Sequence, residues 1–500
     1  MEYTSTRDNN ISISSLQSIV KGISNENGLF VPCDLPKLYI DDILLQFSNC
    51  KDEYTKYTFL SKAILSIFFS EFSEEFLDNS TNNAYGEPFQ YTPAPLVNLD
   101  SKLSVLELFH GPTLAFKDIA LQIMPFLFTE AKKIGKDSTH SLILVATSGD
   151  TGKAALEGYK DKENIDIIVF YPRDGISEIQ KLQMCTQTGK NVYSIGLNGN
   201  FDDTQRAVKS LMTDNDLISK LEEKNIKFSS ANSINIGRLI PQIVYYYYAY
   251  LLLLEKGDIY KGEKIDFVVP SGNFGNILAG FYAKSMGLPI DKLVCASNQN
   301  DVLTDFINKG DYGVNRNFYK TISPSMDILV SSNVERLIYY LTGKNSKKVN
   351  DYYGSLKETG SFSLSEAELE TLKENFVGYS CSEDETKKTL EDIYRRYNYL
   401  LDPHTAVAFG AYNKYKGKNN TVIIATASPY KFPESILDAL KLTEKEKEKS
   451  NLSKISSLSN TKIPESILDI EKREIRFNEC IDIGKEKEFL LKYIERLGEN

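Results

Sequence analysis

From about residue 99 onward the chain alternates short runs of β-branched residues with longer runs of helical pattern, and this alternation constrains the fold more than any other feature. Strands that alternate with helices predict right-handed βαβ units, and therefore mainly parallel sheets with helices on both faces. We therefore predict an α/β fold. The helical runs include Gly152–Tyr159, Asp203–Leu221 and Ile236–Leu254. The candidate strands are Ser141–Ala146, Ile165–Tyr171, Val192–Leu197, Ile265–Val269, Leu293–Ala296 and Val422–Ala425.

The length of 500 residues predicts two or three domains, because it is too great for one compact core. Residues 1–98 are expected to form an N-terminal region, since they end in the proline-rich connector Thr92–Val97. After Leu442 the composition changes to alternating lysine and glutamate. Residues 442–500 are therefore expected to be a charged linker followed by a C-terminal helical element, Glu486–Leu497.

Composition excludes several classes of partner. The formal net charge of −10 argues against nucleic acid, which needs a concentrated basic face. Six cysteines without a Cys-x-x-Cys pair, and only three histidines, predict neither a disulfide framework nor a metal site. The most apolar run, Ile243–Leu254, is shorter than the roughly twenty residues that span a bilayer. Since Met1–Asp8 shows no secretory signal, we expect a cytoplasmic protein without a membrane partner.

Lys117 stands in an apolar, turn-rich segment, just ahead of the helical run Ile119–Phe128. Burying a lysine charge is unfavourable, and a lysine held among apolar neighbours loses its proton more easily. Such an amine is a nucleophile, whereas at the reference pKa of about 10.4 only roughly one lysine in a few thousand is neutral at pH 7. Lys117 is therefore a candidate catalytic residue if the fold buries it.

Two glycine-rich segments follow candidate strands, where the loops of α/β sheets bind ligands. Thr147–Lys153 offers hydroxyls, two glycines and a helix start, which suit a carboxylate or a phosphate. It is not a P-loop, because that motif needs a glycine in place of Thr147 and a hydroxyl in place of Ala154. Ser271–Asn276 places successive backbone amides ahead of a helix, which predicts an anion cradle.

Two further segments allow a structural as well as a functional interpretation. In Asn232–Arg238, two asparagines, a serine and an arginine could hold an anion, or Asn232 or Ser233 could simply cap a helix. In Thr426–Phe432, a hydroxyl follows a strand and could equally cap the next helix. The residues alone leave both choices open.

Taken together, these segments resemble the threonine synthase family, pyridoxal-phosphate enzymes of the tryptophan-synthase-β fold type. The resemblance implies fold type II, with a large cofactor-binding α/β domain at 99–130 and 230–441 and a small mobile α/β domain at 131–229. In many members the last motif reads Thr-Ala-His-Pro-Ala-Lys-Phe, whereas Ser428 and Tyr430 replace the histidine and the second alanine here. No role of that histidine is carried over. The matching segments are Tyr3–Arg7, Asn27–Pro32, His110–Asp118, Thr147–Gly152, Asn232–Arg238, Ser271–Asn276 and Leu401–Ala408.

The resemblance also implies roles for individual residues. Lys117 would hold the cofactor covalently and act as the catalytic base, and Thr426 would hydrogen-bond the pyridine nitrogen. The residues implied to hold the cofactor phosphate are Gly272, Asn273, Phe274, Gly275 and Asn276. Those implied to receive the substrate carboxylate are Thr147, Ser148, Asp150 and Thr151. Those implied to hold the substrate phosphate are Asn232, Ser233 and Arg238.

The implied reaction converts O-phospho-L-homoserine and water to L-threonine and phosphate, by γ-elimination followed by β-addition of water. A serine or threonine dehydratase of the same fold type is the nearest alternative, because it shares the lysine and the phosphate cradle. A second alternative is a threonine-synthase-like protein that binds the cofactor without turnover, against which the intact Lys117, Asp150 and Thr426 argue. The sequence leaves open whether the protein is a monomer or a homodimer.

Overall fold

A computed structural model describes residues 1–173, 176–442 and 450–497. It confirms the predicted α/β fold, with two large sheets that are almost entirely parallel. The predicted strands are all present, each within a few residues of its expected bounds. In chain order the strands are β1 (Glu2–Ser5), β2 (Ile13–Ser14), β3 (Phe30–Pro32), β4 (Leu96–Asp100), β5 (Leu103–Glu107), β6 (His140–Ala146), β7 (Ile165–Pro172), β8 (Val192–Asn198), β9 (Ile226–Ser229), β10 (Ile265–Pro270), β11 (Ile290–Ser297), β12 (Asp311–Gly313), β13 (Ser361–Ser363), β14 (Phe376–Ser380), β15 (Thr421–Ala425) and β16 (Cys480–Asp482).

Helices cover both faces of these sheets. In chain order they are α1 (Ser15–Lys21), α2 (Ile40–Ser48), α3 (Glu53–Phe68), α4 (Glu74–Tyr85), α5 (Lys117–Leu121), α6 (Met124–Ile134), α7 (Asp150–Tyr159), α8 (Glu178–Cys185), α9 (Phe201–Met212), α10 (Asn215–Glu223), α11 (Ile236–Leu239), α12 (Ile243–Lys256), α13 (Gly275–Met286), α14 (Val302–Lys309), α15 (Val334–Leu341), α16 (Ser346–Thr359), α17 (Glu366–Asn375), α18 (Glu383–Tyr397), α19 (Pro403–Tyr415), α20 (Pro433–Ala439), α21 (Asn451–Ser459) and α22 (Glu486–Leu497).

Three predicted helical runs are interrupted: Ile119–Phe128 is divided between α5 and α6, and two others break at a cap or at a proline. The run Asp203–Leu221 is two helices, because Asp214 leaves helical geometry and caps α10 by accepting the backbone N–H of Leu217 at 3.0 Å. The run Ile236–Leu254 breaks at a short 3₁₀ turn that contains Pro241, which lacks an N–H for the helical ladder. A helix cap at Asp214 and a proline at position 241 therefore end helices that the apolar pattern predicted to continue.

The larger sheet has six strands in the order β14-β11-β10-β15-β5-β4, and only the β4–β5 pair is antiparallel. Its central strands β10 and β15 are neighbours, so their carboxyl ends lie side by side. Ser271 directly follows β10 and Thr426 directly follows β15. Two predicted ligand loops are thereby brought to one sheet edge, where α/β sheets bind their ligands.

The second sheet has five parallel strands in the order β16-β8-β7-β6-β9. Its strand β6 ends at Ala146 and leads directly into the Thr147–Lys153 loop. The edge strand β16 comes from the C-terminal segment, which was expected to contribute only a helix. The charged stretch 443–449, expected as a linker, lies outside the described residues, and the proposed domain boundaries stay a prediction.

Helix α12 lies in the largest apolar core, and its tyrosines Tyr245–Tyr248 are at most 1% exposed. A buried tyrosine needs a hydrogen-bond partner, and all four hydroxyl groups find one. Two of them support the Ser271–Asn276 loop. Within the described ranges, no helix is long and apolar enough to cross a membrane.

Candidate functional site

A cavity of about 950 Å³ lies where the ends of β6, β10 and β15 converge. Nearly all of the predicted site residues line it. The exception is Asp150, whose carboxylate is 2% exposed and lies behind Lys117 rather than on the wall. The predicted residues on the wall are Lys117, Thr147, Ser148, Thr151, Asn232, Ser233, Arg238, Gly272, Asn273, Phe274, Gly275, Asn276 and Thr426.

The loop before Lys117 is anchored to the end of β15. The backbone N–H of Phe116 donates to the carbonyl of Thr426 at 2.8 Å, and the N–H of Ser428 donates to the carbonyl of Leu114 at 3.0 Å. Gly111 makes room for the turn, since a Cβ there would lie 2.5 Å from the Asp118 carboxylate. That carboxylate accepts the backbone N–H of Thr113 at 2.8 Å. These bonds fix Lys117 beside Thr426.

The Lys117 side chain is buried, and its amine lies 3.3 Å from the Asp150 carboxylate and 3.3 Å from the Ser325 hydroxyl. Burial lowers the pKa of this ammonium below its usual range, although the charge of Asp150 opposes the shift. The charges of Lys431 and Arg238 lower it further. The burial that makes Lys117 a candidate catalytic residue is therefore present.

Two residues beside Lys117 were not among the sequence candidates. Lys431 is fully buried, and its amine lies 2.7 Å from the Asp150 carboxylate. Lys431 belongs to the Thr426–Phe432 segment, and its place shortly after the end of a candidate strand could have identified it as a site residue from the sequence. Ser325 donates to the same carboxylate at 3.1 Å, and the sequence around it gave no comparable signal.

The Ser271–Asn276 loop presents free backbone donors. In the described part of the chain, none of the backbone N–H groups from Gly272 to Asn276 donates a hydrogen bond. Phe274 caps α13 in the left-handed region, with φ of 62°. A Cβ on Gly272 would lie 2.6 Å from the carbonyl oxygen of Ser325, so this position requires glycine. Free amides ahead of a 12-residue helix form an anion site of the phosphate-binding kind.

Asn276 is oriented by the tyrosine helix. Its amide oxygen accepts the hydroxyls of Tyr245 at 2.7 Å and Tyr246 at 2.8 Å. Its amide nitrogen is buried and has no partner among the described residues. A buried unpaired donor is unfavourable, so this nitrogen is available to a bound acceptor.

Arg238 is a buried cation on the cavity wall. It is 4% exposed, and its Nη1 donates to the carbonyl of Ala231 at 3.0 Å. Its Nε is buried without a partner, and no carboxylate pairs with the guanidinium in the described ranges. Burial lowers the pKa of Arg238 to about 10. A buried charge without a counter-ion is unfavourable, so this site favours an anion.

The Thr147–Thr151 loop starts α7 at the cavity. The Thr147 hydroxyl accepts the backbone N–H groups of Gly149 at 3.0 Å and Gly152 at 2.8 Å, which holds the loop in shape. Gly149 has φ of +130°, and a Cβ there would lie 2.5 Å from the Gln180 amide. Ser148 and Thr151 remain open to the cavity. The helix start and these two residues suit a carboxylate.

In the Thr426–Phe432 segment, one residue faces the cavity and two others hold the turn that follows. In the described residues the Thr426 hydroxyl has no hydrogen-bond partner, and it lines the cavity. Ser428 caps a short 3₁₀ turn, while the Tyr430 hydroxyl turns away and donates to the carbonyl of Thr461 at 2.9 Å. The two departures from the family motif therefore stabilise the turn that carries Lys431.

His404 also lines the cavity, and both of its ring nitrogens are engaged by other residues of the protein. Its Nδ1 donates to Asp402 at 2.8 Å, and its Nε2 accepts the backbone N–H of Ser325 at 3.2 Å. His110 pairs with Glu107 at 2.7 Å and does not line the cavity. Across the described residues, no cluster of three or more metal-ligating side chains is found.

The cavity has a charge opposite to that of the whole chain. Lys209 and Lys357 stand exposed at its mouth and form no ion pair with any described residue. Among the residues that the structure describes, the carboxylates on the wall are those of Asp327 and Glu335. The cationic side chains on the wall are Arg7, Lys117, Arg206, Lys209, Arg238 and Lys357. A positive cavity in a chain of net charge −10 favours an anionic ligand.

Three protein-family profiles match the chain. The profile described as pyridoxal-phosphate dependent enzyme matches residues 88–427. Those described as the threonine synthase N terminus and the threonine synthase C-terminal region match residues 2–85 and 405–489.

Individual proteins match over most of the chain. Threonine synthase-like 1 from Homo sapiens is 39% identical over 444 residues, which are 86% of this chain and 58% of that protein. The chain thus spans less than two thirds of that relative. Threonine synthase from Pseudomonas aeruginosa is 36% identical over 87% of this chain and 90% of its own length. The crystal structure of PLP-bound threonine synthase from Brucella melitensis matches with a TM-score of 0.86 and 32% identity, over 99% of each chain.

Proposed function

Since this chain belongs to the threonine synthase family of pyridoxal-phosphate-dependent enzymes, we propose that it converts O-phospho-L-homoserine and water to L-threonine and phosphate. The proposal takes the overall reaction from the family and the residue roles from the cavity. The single observation that carries it is Arg238, a buried cation on the cavity wall without a counter-ion among the described residues.

The residues around the cavity fit pyridoxal 5'-phosphate. The free amides from Gly272 to Asn276 suit its phosphate, and the unpartnered Thr426 hydroxyl suits its ring nitrogen. Lys117 is the buried amine that would hold it covalently. When bound, this cofactor supplies an electron sink for carbon atoms next to the substrate amino group.

The protein's own residues would then divide the remaining work. Ser148 and Thr151, with the start of α7, would hold the substrate carboxylate, and Arg238 with Asn232 and Ser233 would hold its phosphate. The released Lys117 amine would take a proton from Cα and then from Cβ of the substrate. Phosphate leaves from Cγ, that carbon is protonated, the hydroxyl of water adds at Cβ, and Cα finally regains a proton. Because the Lys117 amine carries out several proton transfers, it must be shielded from water and yet able to move between the carbon atoms.

Asp150 is expected from the sequence to help receive the substrate carboxylate, but its position suits another role. Its carboxylate would repel a substrate carboxylate and instead faces Lys117 and Lys431. We therefore propose that it orients the catalytic amine, while its neighbours Ser148 and Thr151 receive the substrate.

A serine or threonine dehydratase shares the lysine and the cradle but has no use for a second buried anion site. The unpaired Arg238 and the basic cavity mouth therefore favour the phosphorylated substrate. The non-catalytic alternative predicts cofactor binding without turnover, which the same experiment decides.

The test is a substrate panel on purified, cofactor-loaded protein, comparing phosphohomoserine, homoserine, L-serine and L-threonine. Phosphate and threonine formed only from phosphohomoserine support the proposal. Oxo acids formed from serine or threonine would instead support the dehydratase, and a loaded protein inert to all four would support the non-catalytic alternative. Lys117→Ala is the control, and it should abolish turnover. The cytoplasmic location and the monomeric or homodimeric state stay predictions, the latter open to size-exclusion chromatography.

A further inference from the structure

Asp150 is a buried carboxylate held between two lysines. Its Oδ1 lies 2.7 Å from the Lys431 amine, and its Oδ2 lies 3.3 Å from the Lys117 amine. Gln180 and Ser325 each donate one further hydrogen bond, at 2.8 Å and 3.1 Å. The carboxylate is therefore fully coordinated, with one cation on each oxygen.

The two lysines have different freedom. Lys117 lines the cavity, whereas Lys431 is fully buried and does not line it. The Lys431 amine also donates to the carbonyl of Thr113 at 2.9 Å. Its 3₁₀ turn is capped by Ser428 and anchored by Tyr430. Lys431 is thus a fixed cation, and Lys117 is the one that can move.

To form its linkage to the cofactor and to accept a proton, Lys117 must pass through a neutral form. If Lys117 were the only partner, Asp150 would then be a buried carboxylate without a counter-ion, which costs several kcal/mol in a protein interior. A second, fixed cation removes this problem. It lets Lys117 leave and return while the carboxylate keeps its charge and orientation.

We propose that Lys431 is a positioning residue, whose fixed charge keeps Asp150 ionised and aligned on the Lys117 amine while that amine carries the cofactor or a proton. The inference rests on the proposed role of Lys117 as the cofactor-holding residue. It does not depend on which substrate the protein uses.

The electrostatics agree with this geometry. Although burial opposes it, Lys431 holds the pKa of Asp150 well below its usual range, with smaller contributions from Lys117 and His404. After burial, Lys431 is also among the charges that lower the pKa of Lys117. The other charged groups near this cluster are Asp118, Lys153, Glu157 and Arg238.

The experiment is a pH titration of the visible absorption band of the purified holoenzyme, which reports protonation of the linkage between Lys117 and the cofactor. In Lys431→Met, Asp150 acts on Lys117 alone, so the spectral pKa should rise by at least one unit, a tenfold gain in proton affinity. Lys431→Arg keeps the charge and should titrate like the wild type. The double variant Asp150→Asn with Lys431→Met removes both charges and should return close to the wild-type value.

The titration needs no turnover, so a failure of the proposed reaction and a failure of this inference are distinguishable. Where Lys431→Met does not fold, Asp150→Asn gives the complementary test. It leaves Lys431 unopposed, so the spectral pKa should fall by at least one unit, and adding Lys431→Met should restore it. Titration curves that coincide with the wild type in Lys431→Met, or in Asp150→Asn, would overturn the proposal.

Discussion

Replacing Arg238 by methionine should stabilise the ligand-free protein and at the same time impair its use of a phosphorylated substrate. Burial lowers the folded-state pKa of Arg238 well below its usual range, to about 10. Because the folded-state value is the lower one, the charged form opposes folding at every pH below about 10. A difference of about 2.5 units corresponds to about 3 kcal/mol.

The variant also loses the hydrogen bond to Ala231, which contributes about 1 kcal/mol. We therefore expect a net rise of about 1–3 kcal/mol in the free energy of unfolding at pH 7, measured in phosphate-free buffer. On the substrate side, two charge-assisted hydrogen bonds to phosphate contribute about 3–4 kcal/mol together. Their loss should lower kcat/KM for phosphohomoserine about 100- to 1000-fold.

Arg336→Met is the matched control, because Arg336 is equally buried but has its donors satisfied by Phe30, Asn333 and Ile234. Its removal leaves three acceptors unpaired and should destabilise the protein. Unchanged phosphohomoserine kinetics in Arg238→Met, or a loss of stability like that of Arg336→Met, would refute the assignment of Arg238 as an anion site.

Three further predictions concern the cradle, the cavity mouth and the Lys117 loop. Tyr246→Phe removes a donor to the Asn276 amide and carbonyl, so the cofactor dissociation constant should rise about tenfold in equilibrium dialysis; an unchanged constant would contradict the cradle's dependence on α12. Added NaCl should lower kcat/KM for phosphohomoserine, because salt screens the attraction between the basic cavity mouth and the anionic substrate. The double variant Lys209→Gln with Lys357→Gln should make kcat/KM less dependent on salt. The control Lys102→Gln, at the end of β5 remote from the cavity, should leave the salt dependence unchanged. Burial raises the pKa of Asp118 from 3.8 to about 6, so the fold loses stability progressively as the pH rises between these two values. Asp118→Asn should therefore gain about 2 kcal/mol on the wild type between pH 4 and pH 7 in unfolding titrations, and an equal difference at both pH values would argue against a raised pKa.

The sheets and most of the cavity wall follow from local sequence. Each strand of the two large sheets that carries a ligand loop is a run of β-branched residues, and parallel pairing then places the loop ends together. Pairing of β10 with β15 brings Gly272 close to Thr426, whereas Thr147 follows a strand of the other sheet and is brought to them only by the packing of the two sheets. Lys117 was identifiable because a lysine is rare among apolar neighbours.

Other features depend on contacts that sequence spacing does not encode. Lys431 is 314 residues from Lys117 in the chain, and only folding brings both amines to Asp150. The substrate role expected for Asp150 follows from the family resemblance of the whole Thr147–Thr151 loop, which does not distinguish one side chain of the loop from another. The Asp150 side chain instead contacts Lys117 and Lys431. Strand β16 was missed because three residues at a sheet edge leave little pattern.

The most direct test of the proposed function is to run the reaction of purified, cofactor-loaded protein with phosphohomoserine in water enriched in oxygen-18. Elimination of phosphate from Cγ and addition of water at Cβ place the label in the hydroxyl of threonine and leave the released phosphate unlabelled. Equal amounts of labelled threonine and unlabelled phosphate are the expected result. Label in the phosphate, or phosphate without threonine, would contradict the proposed reaction.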